Sequence, residues 1–240
     1  GAEISCGVRA CEGAVERLRI DPQTFDCKVK IIGNDEWLTD ETINDHAVPG
    51  LCGSAIFEVM VELARAGLID KSGLFRPTVA PDRFTEEAGI TTYRLIGDIT
   101  LKQTDIRAVQ LAKAALMAGA RLVAEELDCD RFDEVLLAGA FGTHLDPTYV
   151  ADIGIVPHNG ADTIKAVGNA AGMGAAMCLI DKSQRQRIRD AVEEVDKIET
   201  ALEPRFQTYF VEAMAFPTAP QGDGNSKSRR GGRAGGRRRR

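Results

Sequence analysis

The 240-residue chain is 44% hydrophobic, 28% charged and only 5% aromatic. That balance supports a core of ordinary size and favours close-packed α/β layers over an aromatic-filled barrel. Its net charge of −6 divides unevenly: eight basic residues against Asp223 make the stretch after residue 220 +7, leaving −13 on residues 1–220, so the body repels nucleic acid while the Arg-rich end attracts polyanions weakly and without sequence preference.

Residues 1–35 alternate glycine with apolar residues and close on a strand-like alternation over 27–32. A polar loop runs from Gly33 to Pro49. Ile56, Val59, Met60 and Leu63 then recur at helical spacing, which predicts a helix over 54–66, stopped by Gly67. Pro77, Pro81 and several glycines mark 70–95 as loop-rich. The longest helix is expected after Ile99-Thr100, capped by Asp105, with Ile106, Val109, Leu116, Ala120, Val123 and Leu127 on its apolar face. The short apolar run 134–138 reads as a buried parallel strand entering a tight glycine turn. A second such strand, 164–167, ends at Gly168-Asn169 and enters a small-residue helix over 170–180. Residues 183–199 read as a polar helix, 206–216 as a last strand or short terminal segment, and 217–240, rich in Pro, Gly, Ser and Arg, as disordered. Helices alternating with apolar strands make the class α/β.

No apolar run reaches the length of about 18 residues that a membrane span needs, and the first residues lack the basic-then-apolar pattern of a signal peptide. Six scattered cysteines, Cys6, Cys11, Cys27, Cys52, Cys129 and Cys178, do not make a disulfide scaffold and read as the reduced thiols of a cytoplasmic protein. Cys6 and Cys11 have the spacing that opens a plant-type iron–sulfur site, but Ala14 stands where the next cysteine would be.

Four segments carry candidate chemistry. Two strand-to-helix junctions share a design, Leu137-Ala-Gly-Ala-Phe-Gly142 and Val167-Gly-Asn169. Ligands of parallel α/β sheets bind at the carboxyl ends of strands, and glycine lets a ligand lie against the main chain. Gly139, Ala140, Phe141, Gly142, Gly168 and Asn169 are therefore candidates for the floor of a nucleoside site; the competing reading is close helix–sheet packing. In Pro49-Gly-Leu-Cys-Gly-Ser54, Gly50 and Gly53 bracket a turn and Ser54 can cap the following helix. Free N–H groups there would attract an anion or ribose hydroxyl; the alternative is an ordinary capped helix with Cys52 as a small buried residue. Lys113, on the apolar stripe of the long helix with Gln110 one turn before it, either snorkels to an edge or contacts nucleotide. His46, His144 and His158 form no metal spacing, there is no Walker loop, and no catalytic residue stands out.

Taken in register, residues 1–15, Gly50-Leu-Cys-Gly-Ser54, Asp98-Ile-Thr100, Asp105-Ile-Arg107, Gln110-Leu-Ala-Lys113, Ala138-Gly-Ala-Phe-Gly142 and Gly168-Asn169 resemble the C-terminal domain of the reductive activators of corrinoid proteins, over about residues 1–217. The resemblance implies a place in the actin, sugar-kinase and heat-shock ATPase superfamily. Residues 1–217 would be the second ribonuclease-H-like half, with insertions, of an N-terminally truncated actin-like ATPase domain; residues 218–240 would be a disordered Arg-rich tail. It further implies ATP and Mg²⁺ as ligands of the full-length protein, a [2Fe–2S] cluster in an N-terminal domain, and a corrinoid protein or corrinoid-dependent methyltransferase as partner, with a homodimer left open. The activity implied is ATP-driven reduction of cob(II)alamin to cob(I)alamin. Val8 and Ala55 stand where the family has Met and Gly. The two Asp-Ile-Gly-Thr-like turns that hold phosphates and Mg²⁺ in the superfamily do not occur in this sequence, nor does the four-cysteine set, so the chain alone is expected not to hydrolyse ATP. The alternative function is a non-catalytic module docking on a corrinoid protein or methyltransferase.

Overall fold

The computed structural model describes residues 4–216; the Arg-rich stretch read as disordered lies outside them. Antiparallel strands β1 (Val15–Ile20) and β2 (Cys27–Ile31) turn Leu18, Ile20, Cys27, Val29 and Ile31 inward and leave Arg17, Arg19, Lys28 and Lys30 on the other face, the period-two pattern of a half-buried hairpin.

Helix α1 (Gly53–Arg65) lies along the outer edge of β1. Ahead of the helix, the Val15 N–H donates to Gly50 O and the Cys52 N–H to Val15 O, both at 2.9 Å. One turn apart along α1, the Ser54 hydroxyl donates to Glu16 O (2.9 Å), Glu58 accepts the Leu18 N–H (2.9 Å) and Glu62 accepts the Ile20 N–H (2.9 Å). The buried Glu58 is charge-compensated by Arg17 at 2.7 Å and Arg19 at 2.6 Å, as a desolvated carboxylate requires. Ser54 is therefore not the helix cap: Cys52 occupies that position without a side-chain bond, and the Ser54 hydroxyl is committed to the strand.

Residues 70–83 are loop and a short 3₁₀ turn, as expected, but 84–95 are not. Strands β3 (Phe84–Glu87), β4 (Ile90–Ile96) and β5 (Ile99–Lys102) form an antiparallel meander, its first turn made by Ala88-Gly89 between the paired Glu87 and Ile90. Tyr93 and Leu95 are fully buried in alternation, and Phe75, Phe84 and Tyr93 cluster at centroid distances of 5.0 to 6.2 Å. The flanking prolines mask that alternation in the sequence.

Helix α2 (Gln103–Glu126) starts two residues before the expected cap, and Lys102 holds the cap position. Asp105 is its third residue and accepts the Lys102 N–H at 2.8 Å, as in a capping box. It also takes the Ser5 N–H (2.8 Å) and hydroxyl (2.6 Å), fastening the N-terminal segment. The buried face carries Ile106, Val109, Ala114, Ala118 and Leu122, whereas Leu116, Val123 and Leu127 are exposed. The alanine row, small enough for close helix contact, sets the packing face and not the larger residues. Against it packs α7 (Pro204–Glu212), a helix where a strand or short segment was expected. Phe206, Tyr209 and Phe210 have helical spacing, and Glu203 caps the start.

Strands β6 (Val135–Ala138) and β7 (Ile164–Gly168) run parallel, joined through α3 (Gly139–Thr143) and α4 (Pro147–Ile153). After β7 come α5 (Ala170–Ile180) and α6 (Lys182–Glu193). All but the glycines of α5 are apolar, yet none of its residues is buried: Leu179 is 81% and Ile180 88% exposed. Leu136 and Val167 on the two parallel strands are exposed as well. No helix among the described residues is long and apolar enough to cross a membrane.

Candidate functional site

The parallel pairing brings the two glycine junctions together, because Ala138 is the register partner of Gly168. Both strands turn at a glycine in the left-handed region, Gly139 with φ +98° and Gly168 with φ +71°, where a side chain is strained. A methyl group added at either would meet nothing within 4 Å. The carboxyl ends of β6 and β7 thus present adjacent bare main chain to open space. Gly142 is the opposite case: a Cβ there would come within 3.1 Å of Leu137, so it serves the tight return of α3 onto β6. Asn169 caps α5 by accepting the Gly172 N–H at 3.0 Å.

Phe141 carries the floor sideways into an apolar slot. Its half-exposed ring meets Phe57 edge-on, with centroids 5.5 Å apart and planes at 64°, a favourable aromatic geometry. A cavity of about 580 Å³ opens here, lined by Ile4, Gly53, Ile56 and Phe57 beside the first turn of α1, by Ala108, Ala112, Lys113 and Leu116 of α2, and by Phe141. Gly53 is what admits the Phe141 ring: a Cβ on residue 53 would stand 2.4 Å from its Cε2. Gly50 serves a different neighbour, since a Cβ there would lie 2.3 Å from Cys6 O.

Gln110 and Lys113 are committed elsewhere. The Gln110 amide donates to Ser72 O (2.8 Å) and Met214 O (3.0 Å). The Lys113 ammonium donates to Ala213 O (2.7 Å) and Ala215 O (2.9 Å), near the Phe216 ring. Lys113 is 3% exposed, so it does not snorkel; its flank borders the slot while its head holds the carbonyls that follow α7. Burial lowers its pKa to about 8. Of the expected nucleotide contacts, Gly53, Lys113, Phe141, Gly139 and Gly168 line or adjoin the slot and floor; Gly50, Ser54 and Gln110 have structural partners. Ala140 lies in α3. Phe57, Ala108 and Ala112 were missed by sequence reasoning. The signal for the two alanines is their spacing of four ahead of Leu116, an apolar row on α2 that lines the slot.

Burial pushes the Cys6 and Cys27 thiols up to about 12. No group of three His, Cys, Asp or Glu side chains that could hold a metal ion occurs among the described residues.

A family model described as the C-terminal domain of RACo, the ASKHA domain, matches residues 1–223. The corrinoid activation enzyme RamQ of Eubacterium limosum is 31% identical over 232 residues, 89% of this chain and 37% of that protein. A solved structure, the reductive activator for corrinoid, iron-sulfur protein, is similar with a TM-score of 0.77 at 27% identity, over 91% of this chain and 35% of that one. The chain therefore spans little more than a third of the length of either.

Proposed function

The chain belongs to the family of C-terminal ASKHA domains of RACo, and on that premise we propose that it forms one wall of the nucleotide site of an ATP-dependent reductive activator of a corrinoid protein. The observation that carries the reading is the pair of bare glycine turns, Gly139 and Gly168, side by side at the ends of parallel strands and adjoining an apolar slot. The nucleoside would rest on that main chain with its base between Phe141, Phe57 and Ala112. Lys113 and Gln110 act as positioning residues, fixing residues 213–215 against α2. In this reading residues 1–217 are the second ribonuclease-H-like half of a bilobed domain. The exposed apolar faces of α5, β6 and β7 are the surfaces that the other half covers, and that half supplies the phosphate and Mg²⁺ ligands. The [2Fe–2S] cluster belongs to a further domain. Nucleotide hydrolysis supplies the free energy for reducing cob(II)alamin to cob(I)alamin on the partner, a corrinoid protein or corrinoid-dependent methyltransferase.

The test is Ala112→Trp, which fills the slot from an exposed helical position. In the longest polypeptide encoded with this domain, ATP affinity should fall by about tenfold or more, as expected when a pocket is occupied by protein. Reduction of the corrinoid, followed by its visible spectrum, should fall with it. Unchanged ATP affinity in a folded Ala112→Trp protein would sink the reading.

A further inference from the structure

The outward face of the β1–β2 hairpin sets like charges opposite one another: Arg17 faces Lys30 and Arg19 faces Lys28. Such cross-strand pairs are destabilising and call for compensating anions. Glu58 compensates only the arginines. Asp26 and Asp40 are taken by Arg83, at 2.8 and 3.2 Å, and Asp21 accepts the main-chain N–H groups of Gln23 and Thr24. Asp35, Glu36 and Glu41 reach neither lysine, and Lys28 and Lys30 make no ion pair among the described residues. Their ammonium groups lie 5.3 and 5.6 Å from the centroid of the Trp37 ring, with the Arg19 guanidinium 5.6 Å from the same ring. Trp37 is 37% exposed and is the sole tryptophan of the chain.

We propose that this face docks a carboxylate-rich segment of a protein partner, with Lys28 and Lys30 meeting its acids and Trp37 providing the apolar anchor. Exposed tryptophan and arginine are the residue types that dominate binding energy at protein interfaces, and the two lysines, neither held in an ion pair among the described residues although Lys28 lies near enough to Asp21 to lower its pKa, supply the sign. The surrounding charge of −13 on residues 1–220 disfavours an extended polyanion, whose length exceeds a screening distance of about 8 Å, but leaves room for a compact acidic epitope. The inference goes beyond the nucleotide reading and does not depend on it.

Because Trp37 is alone, its emission reports on this face, whereas retention on a column would also register the Arg-rich terminus. A short glutamate-rich peptide, titrated into the full chain at low ionic strength, should change that emission saturably. Lys28→Glu combined with Lys30→Glu should weaken the response by about tenfold or more. The neutral pair, Lys28→Gln with Lys30→Gln, should weaken it less and guards against misfolding of the charge-reversed protein. An oligonucleotide of equal charge should give a smaller change. The proposal is overturned by a peptide that leaves the emission unaltered, by lysine variants that titrate like the wild type, or by an oligonucleotide that binds as tightly through the same lysines.

Discussion

Replacing Gly53 by alanine probes the joint between the slot and the fold. The new methyl would stand 2.4 Å from Cε2 and 2.9 Å from Cδ2 of Phe141, so the ring must retreat by roughly 1 Å to regain a normal contact of about 3.5 Å. Retreat breaks its edge contact with Phe57, worth about 1 kcal/mol. Alanine in place of glycine returns up to about 1 kcal/mol of helix propensity, less at the first turn of α1 than in its interior. The expected net effect is a loss of about 0.5 to 1 kcal/mol, together with weaker nucleotide binding if Phe141 walls the base slot. In a Phe141→Ala background there is no ring to displace, so Gly53→Ala should cost nothing or stabilise by a few tenths of a kcal/mol. Urea unfolding of the four proteins, followed by Trp37 emission, measures the coupling. An equal cost of Gly53→Ala in both backgrounds would refute the steric argument.

Glu58→Gln removes a buried charge from two guanidinium groups that are each about one-third exposed; a loss of about 2 to 3 kcal/mol is expected in urea unfolding, and a loss below about 1 kcal/mol would mean that the arginines find water instead. For Lys113, lowered by burial from 10.5 to about 8, the unfolded chain binds the proton more tightly between those values. Stability should therefore rise with pH from about 8 to about 10.5 relative to Lys113→Met, and a difference between the two proteins that stays flat with pH would contradict it. The comparison with the variant matters because Cys6 and Cys27, raised to about 12, act in the opposite direction above their ordinary values.

Where local pattern and final environment agree, the sequence is readable. Helix α1 shows at the level of periodicity, and the closing glycines of β6 and β7 at the level of turn chemistry, with the parallel pairing placing Gly139 beside Gly168. The strands themselves read as buried and are instead largely exposed, because no layer among the described residues covers Leu136 or Val167. The meander of β3 to β5 is harder because prolines flank an otherwise regular alternation. The face of α2 misleads because Leu116, Val123 and Leu127 outrank Ala114 and Ala118 in hydrophobicity, while close packing against α7 selects the smaller residues. Least visible are the long-range polar partners. Gln110 and Lys113 bond to carbonyls about a hundred residues away, and Glu58 and Glu62 look like solvent-facing charges until β1 is laid alongside them.

That last arrangement governs where this molecule can grow. An unpaired strand border invites recruitment by any passing extended chain, but along β1 the vacant donors and acceptors are consumed by Gly50, Cys52, Ser54, Glu58 and Glu62. Foreign β-addition is therefore barred on that flank. Enlargement by strand pairing is left to the other sheet edges, among them the rim of the two parallel strands and the outer strand β3 of the meander.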